Sequence, residues 1–173
     1  MNPDNAPANH QWIRLAVQQY ERPLIRYATR ITGNLAQGQE IVQEAFLRLC
    51  RQGDEVAEPK VKAWLYTVCR NHAIDRQRKE TGMTQIQNSS LDHTANATLG
   101  PSVPVEQADT HSHVLAQIGQ LPAKQQEVLC LKFQDDLSYK QIAQVTGLTV
   151  GHVGYLIHTG LKNLKQRLAD VID

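Results

Sequence analysis

Residues 137–162 read LSYKQIAQVTGLTVGHVGYLIHTGLK, and this stretch decides the fold of its half of the chain. Ser138 and Gln141 have the spacing of a capping box, in which the serine hydroxyl and the glutamine side chain serve exposed amides at a helix start. Gly147 should stop this helix, because the turn needs a positive φ that other residues resist. Thr149 is a suitable N-cap for the next helix. The stretch therefore predicts a helix-turn-helix.

The second helix of this motif carries the candidate DNA contacts. Ala143 is small, as required where the helices cross, and Val153 and Leu156 should hold the second helix against the first. Its exposed first turns are expected to meet base edges in a major groove, with its later cations near phosphates. The candidate contacts are Thr149, His152, Tyr155, His158, Thr159 and Lys162. A helical hairpin that binds no nucleic acid is the alternative.

A second informative stretch, KVKAWLYTVCRNHAIDRQRKE, occupies residues 60–80 and combines cations with aromatic residues at helical spacing. Tyr66 is predicted to stack on an unpaired base, a contact of about 1–3 kcal/mol per base. Asn71 can hydrogen-bond a base edge, and Arg70 and Arg76 suit phosphates. Trp64, in contrast, is assigned to the core. Partial burial of Tyr66 is the alternative for that residue.

The rest of the chain predicts an all-α protein of two small helical domains joined by a flexible linker. The first domain, residues 9–80, has apolar stripes over 9–32, 35–52 and 60–80, with Pro23 expected to kink or divide the first helix. Residues 81–110 are rich in Asn, Ser, Thr, Gly and Pro and show no period, which predicts the linker. The second domain, residues 111–170, is expected to open with a short helix over 113–120.

Composition excludes several classes of protein. The chain has 173 residues, a formal net charge of +1 and 41% hydrophobic residues, and no apolar run is long enough to span a membrane. We expect a cytoplasmic protein with no signal peptide, whose Cys50, Cys69 and Cys130 are buried thiols. No metal-ligand spacing, paired carboxylates, activated nucleophile or phosphate loop stands out, so no metal, cofactor or enzymatic activity is expected.

Both stretches together resemble the extracytoplasmic-function family of bacterial RNA polymerase sigma factors. EIVQEAFLRLC resembles region 2.2 of that family, and KAWLYTVCRNHAIDRQRK resembles regions 2.3 and 2.4. LPAKQQEVLCLKFQDDLSYKQIAQVTGLTVGHVGYLIHTGLKNLKQRL resembles region 4. The resemblance implies that the first domain binds the polymerase clamp and reads the −10 promoter element. It also implies that the second reads the −35 element and touches the polymerase flap.

The same resemblance assigns roles to individual residues. Glu40, Gln43 and Glu44 fall on the clamp-binding helix, whereas Tyr66, Arg70, Asn71 and Arg76 fall in the segment that reads the −10 element. An anti-sigma factor is a candidate partner, since such factors commonly clamp both units of family members.

Two features depart from the family. Residues 37–40 read QGQE, with one acid where relatives usually carry several, which predicts weaker charge pairing with the clamp. Gly154, Tyr155 and Thr159 stand where most relatives have Lys, Ser and Arg, which predicts a shallower salt dependence and an unusual −35 sequence.

Three other functions remain as alternatives. A stand-alone helix-turn-helix regulator would bind a palindromic duplex tightly without polymerase. A helical enzyme would need catalytic groups that the sequence does not show. A sigma-like chain held inactive by a partner would act mainly through protein interactions.

Overall fold

The computed structural model describes residues 6–52, 58–84 and 105–172, and every regular element in these ranges is helical. The chain divides into two compact units, Met1–Ser90 and Leu91–Asp173. The all-α prediction is therefore confirmed. Residues 85–104, which make up most of the predicted linker, lie outside the described ranges. The ends of that predicted linker are helical instead, over 81–84 and 105–110.

Over its described residues, the first unit contains three helices: α1 (Ala6–Thr32), α2 (Leu35–Gln52) and α3 (Glu58–Thr84). Each helix packs against the other two, and apolar side chains from all three form the core. Pro23 lies inside α1 without dividing it, so of the two expected outcomes, a kink or a new helix start, the second does not occur. Burial of Leu24, Tyr27 and Ala28 directly after the proline offsets the backbone hydrogen bond that proline removes.

A short turn and a close helix contact fix α1 against α2. Gly33 has a φ of +72°, and its N–H donates to the Thr29 carbonyl at 2.8 Å. Asn34 Oδ1 accepts from the Gln37 N–H at 3.1 Å and caps α2. Gly38 is buried where the helices meet. A Cβ there would lie 3.0 Å from the Thr29 nitrogen and 3.2 Å from the Ile25 carbonyl oxygen. The backbones therefore approach closely because this residue has no side chain.

The second unit contains α4 (Val105–Ile118), α5 (Ala123–Leu129), a π-helical turn (Cys130–Gln134), α6 (Tyr139–Thr146) and α7 (Val150–Ile172). The first of these begins eight residues before the predicted start at 113. Val114, Leu115 and Ile118 near its C-terminus are intermediate in burial, and α4 packs against α7. Helix propagation from a packed segment costs little per added residue, so the polar stretch before residue 113 can extend the same helix.

The predicted helix-turn-helix is present at α6 and α7. Ser138 and Gln141 form the complete capping box, Gly147 has a φ of +73°, and Thr149 Oγ1 accepts from the His152 N–H at 3.1 Å. Gly160 then lets α7 approach α5, since a Cβ there would lie 3.0 Å from Leu129 Cδ1. These local devices place the N-terminal turns of α7 at the surface of the unit.

The cysteine prediction is correct for two of three residues. Cys69 and Cys130 are buried, but Cys50 is exposed at the end of α2. The buried face of α2 near this end consists of Ala45, Phe46 and Leu49, and Cys50 lies outside it. Burial raises the pKa of the Cys69 thiol to about 12, because a thiolate loses its hydration there.

Candidate functional site

The outward face of α3 carries a stripe of polar, cationic and aromatic side chains. Lys60, Asn71 and Arg78 are exposed and Trp64 is half-buried, and these four residues lie within about 40° of one another around the helix axis. The stripe extends about 27 Å from Lys60 to Arg78 at the α-helical rise. This face can therefore follow a nucleic-acid strand over several nucleotides.

The structure contradicts the predicted role of Tyr66. Its side chain is only 1% exposed, and its ring packs on Tyr27 with the centroids 5.2 Å apart. A ring enclosed in this way cannot stack on a base. Trp64, which the sequence analysis assigned to the core, is instead the partly exposed aromatic residue on the face of Asn71. No local signal indicated this, because the exposure of Trp64 follows from the rotation of α3, which buries Ala73 on the opposite side of the helix.

Two residues predicted for different partners contact each other. Arg76 Nη1 donates to Glu40 Oε2 at 2.6 Å, and both side chains are substantially exposed, at 41% and 61%. Beside this ion pair, Gln37 Nε2 of α2 donates to Glu80 Oε1 of α3. Arg70 is half-buried. The polymerase candidate Glu40 and the DNA candidate Arg76 thus form one bridge between α2 and α3.

The outer face of α2 is more apolar than its charges indicated. Leu35 and Leu47 are 58% and 52% exposed, and Gln39 and Gln43 are exposed between them at four-residue spacing. We call these four residues the α2 stripe. The Glu44 side chain is half-buried beside it. A shallow groove adjoins the stripe and is lined by Glu21, Ile25, Gln39, Val42, Gln43 and Phe46.

The exposed face of α7 holds most of the predicted −35 residues. His152, Tyr155, His158 and Lys162 are all exposed, and the rings of His152 and Tyr155 lie 6.4 Å apart. The hydroxyls of the other two predicted residues, Thr149 and Thr159, are instead used within the unit. Thr149 caps α7.

Thr159 is half-buried. Its Oγ1 donates to the Tyr155 carbonyl at 2.9 Å and accepts from Gln125 Nε2 at 3.4 Å. A DNA contact through this hydroxyl would have to compete with those bonds.

A tyrosine that the sequence analysis missed lies beside α7. Tyr139 is 40% exposed, and its Cε2 would be 3.5 Å from a Cβ at Gly154. Lys132 Nζ lies 5.7 Å from the centroid of the same ring, within the range of a cation–π contact. Phe133, in the preceding turn, is 62% exposed. Gly154 was the available signal, since a residue without a side chain on a recognition helix leaves room for a neighbour.

The described residues offer neither a metal site nor a membrane-spanning helix. Among the described residues, no group of three or more histidine, cysteine or acidic side chains could hold a metal ion. None of the described helices combines the length and apolar character that crossing a membrane requires.

The two units match two parts of one protein family. The model of sigma-70 region 2 matches residues 16–82, and that of sigma-70 region 4 matches residues 113–164. The ECF RNA polymerase sigma factor SigW of Bacillus subtilis is 29% identical over 162 residues, covering 88% of this chain and 86% of SigW. SigL of Mycobacterium tuberculosis, also named an ECF RNA polymerase sigma factor, is 27% identical over 168 residues, covering 96% of this chain and 94% of SigL.

A solved structure shares the fold. The sigma factor RpoE of Bartonella quintana, crystallised in complex with the anti-sigma factor NepR, superposes with a TM-score of 0.62 at 20% sequence identity, covering 90% of this chain and 96% of RpoE. The family matches fall on the two helical units, in the order in which the units occur, and the relatives align over most of their length. The chain therefore belongs to the extracytoplasmic-function (ECF) family of RNA polymerase sigma factors, which act in promoter-specific transcription initiation.

Proposed function

We propose that this chain binds core RNA polymerase, recognises the −10 element with its first unit and the −35 element with its second, and assists promoter melting. The observation that carries the proposal is the pair of region 2 and region 4 matches on separate compact units. Each unit also has an exposed helix face of suitable chemistry. The polymerase performs the bond-forming chemistry, and this chain selects the genes that make up its regulon.

The −10 contact is assigned to the α3 face. Asn71 offers an amide that can pair with the edge of an unstacked base, and Trp64 offers an aromatic surface seven residues earlier on the same side. Capture of an extruded base offsets local unpairing, which costs a few kcal/mol. The cations Lys60 and Arg78 supply attraction to the strand without sequence preference. Arg76 contributes to this attraction in spite of its bridge to Glu40, because an exposed ion pair is weak.

The −35 contact is assigned to the exposed face of α7. Its N-terminal turns present His152 and Tyr155, and His158 and Lys162 follow on later turns. On a recognition helix in the major groove, the central Tyr155 is placed to read base edges, and the side chains that flank it can reach phosphates. This face lacks arginine, the side chain that most often reads guanine. The absence supports an unusual −35 sequence.

The polymerase contact is assigned to the α2 stripe together with Glu40 and Glu44. The exposed leucines of the stripe offer apolar area that is ordinarily buried on binding a partner. They offset the missing acids in residues 37–40, because apolar burial does not depend on charge pairing. An anti-sigma factor could cover the same surfaces, and the complex of RpoE with NepR is the precedent for such a partner.

Transcription in vitro with core polymerase and a genomic promoter library tests the proposal. We expect transcripts from a small set of promoters that core polymerase alone does not use. No transcript above the core-only background would refute it. Tight binding to a palindromic duplex without polymerase would favour the stand-alone regulator instead.

A further inference from the structure

Two histidines flank the centre of the exposed α7 face. His152 and His158 are both exposed, three residues before and three residues after Tyr155. They lie about 120° apart around the helix, with Tyr155 and Lys162 between them. The positions that face DNA on this helix therefore combine a permanent cation with two imidazoles.

The charged residues nearest to these imidazoles in the sequence are all basic. No acid occurs between Leu137 and Ala169, a range that includes α6 and nearly all of α7. Acids do occur on the other parts of the unit, where they are accompanied by bases. The helices packed against α7 carry Glu106, Asp109, His111 and His113 on α4, Lys124 and Glu127 on α5, and Tyr139 and Lys140 on α6. Lys132, Asp135 and Asp136 lie on the π-helical turn and the loop after it.

We propose that His152 and His158 are proton-dependent contacts to DNA phosphates, so that α7 binds duplex DNA more tightly as the pH falls. This inference rests on the proposed assignment of α7 to promoter DNA. An imidazole ordinarily titrates near pH 6.5. The protonated ring carries a positive charge and two N–H donors, whereas the neutral ring has one donor and one acceptor.

Linkage sets the direction of the effect. Because phosphate favours the protonated ring, binding takes up protons, and a proton must in turn favour binding by the same factor. The affinity for duplex DNA should therefore rise as the pH falls. Few other cations lie on this face, so two added charges are a large fraction of its total.

Fluorescence anisotropy of the full chain with a labelled duplex tests the inference. We expect binding about tenfold tighter at pH 6 than at pH 8, because each protonated ring adds a favourable charge opposite phosphate. The slope of log affinity against log salt should be steeper at pH 6 by about 1 to 2, because each added phosphate contact contributes about 0.9. The salt slope separates a phosphate contact from a general change in folding.

Variants locate the effect. In the double variant His152→Gln/His158→Gln, both the pH dependence and the steeper slope should disappear. The matched control is His111→Gln/His113→Gln, which removes two exposed imidazoles from α4 of the same unit and should behave as the wild type. Circular dichroism at both pH values checks that all the variants are folded.

Three results would overturn the inference. They are an unchanged pH dependence in the α7 double variant, its loss in the α4 control, and no duplex binding by the wild type at pH 6 and low salt. Transcription with core polymerase at a single pH separates this failure from failure of the proposed function. Transcripts together with a flat pH profile would refute only the role of the two histidines.

Discussion

Arg76 of α3 and Glu40 of α2 form an ion pair, with 2.6 Å between Nη1 and Oε2, so a residue assigned to DNA and one assigned to polymerase share a contact. Both side chains are substantially exposed, and such pairs contribute roughly 0–1 kcal/mol to stability. The pair is thus weak enough to open when either partner binds.

The first prediction is that each side of this bridge can be lost separately. Arg76→Gln should lower the free energy of unfolding by less than about 1 kcal/mol and slow promoter opening, because it removes a cation near the strand. Glu40→Gln should weaken binding to core polymerase instead. Urea unfolding, polymerase binding and open-complex formation measure the three effects. Equal loss of polymerase binding in both variants would contradict the separation.

The second prediction reverses the roles of two neighbouring aromatic residues. Tyr66→Ala should destabilise the first unit by about 3–5 kcal/mol, because it empties a core site. Trp64→Ala should cost less stability and should impair promoter opening while polymerase binding persists. Permanganate footprinting of the −10 region measures opening. Trp12→Ala is the control, since Trp12 is likewise half-buried but lies on α1. Normal opening by the Trp64 variant would exclude its stacking role.

The third prediction concerns the α2 stripe. Leu47→Gln should weaken binding to core polymerase several-fold, because about half of the side chain is exposed and available for burial. Leu15→Gln is the matched control on α1, where the leucine is 58% exposed, and it should bind as the wild type. Titration of fluorescent core polymerase gives both affinities. Equal affinities of the two variants would remove Leu47 from the interface.

The fourth prediction tests the close approach of α1 and α2. Gly38→Ala should destabilise the first unit by about 1–3 kcal/mol, because a Cβ would press on the backbone of Thr29 and Ile25. Gly82→Ala should instead stabilise the protein by up to about 1 kcal/mol, since nothing lies within 4 Å of its Cβ position in α3. Thermal unfolding distinguishes the two signs. A stabilising Gly38→Ala would show that the helices are not held by this contact.

The fifth prediction concerns the cysteines and pH. Cys50 should react quickly with a thiol reagent, whereas buried Cys69 should react only on unfolding. The raised pKa of Cys69, about 12, means that the native state retains a proton that the unfolded chain loses at lower pH. Stability from this group is therefore complete below about pH 8.5 and declines as the pH rises towards 12. Mass-spectrometric labelling and unfolding at several pH values check both statements.

The parts of the fold governed by local chemistry were predictable from the sequence. The capping box at Ser138, the positive φ at Gly147 and the caps at Asn34 and Thr149 each depend on a few neighbouring residues. The orientation of Trp64 and Tyr66 was not predicted, because it depends on how α3 rotates against α1 and α2. Hydrophobicity alone does not indicate which of two neighbouring large aromatic residues is buried.

The longer-range features had no local signal either. The uninterrupted course of α1 through Pro23 depends on packing of the residues that follow it. The pairing of Arg76 with Glu40 joins helices that are separated by a loop, so spacing within one helix could not indicate it. For the candidate site, the family resemblance indicated which helix faces to consider. The structure then showed that the α3 face presents Trp64 and not Tyr66.

The position of the Tyr139 ring, 3.5 Å from where a Cβ of residue 154 would lie, has a consequence for engineering promoter choice. An alanine fits at position 154, but a longer residue transplanted with another recognition helix would displace the tyrosine ring. Chimaeras that exchange only the recognition helix would then disturb the motif's own packing, and weak activity would be misread as a failure to recognise the new promoter. Residues 139 and 154 are best exchanged together.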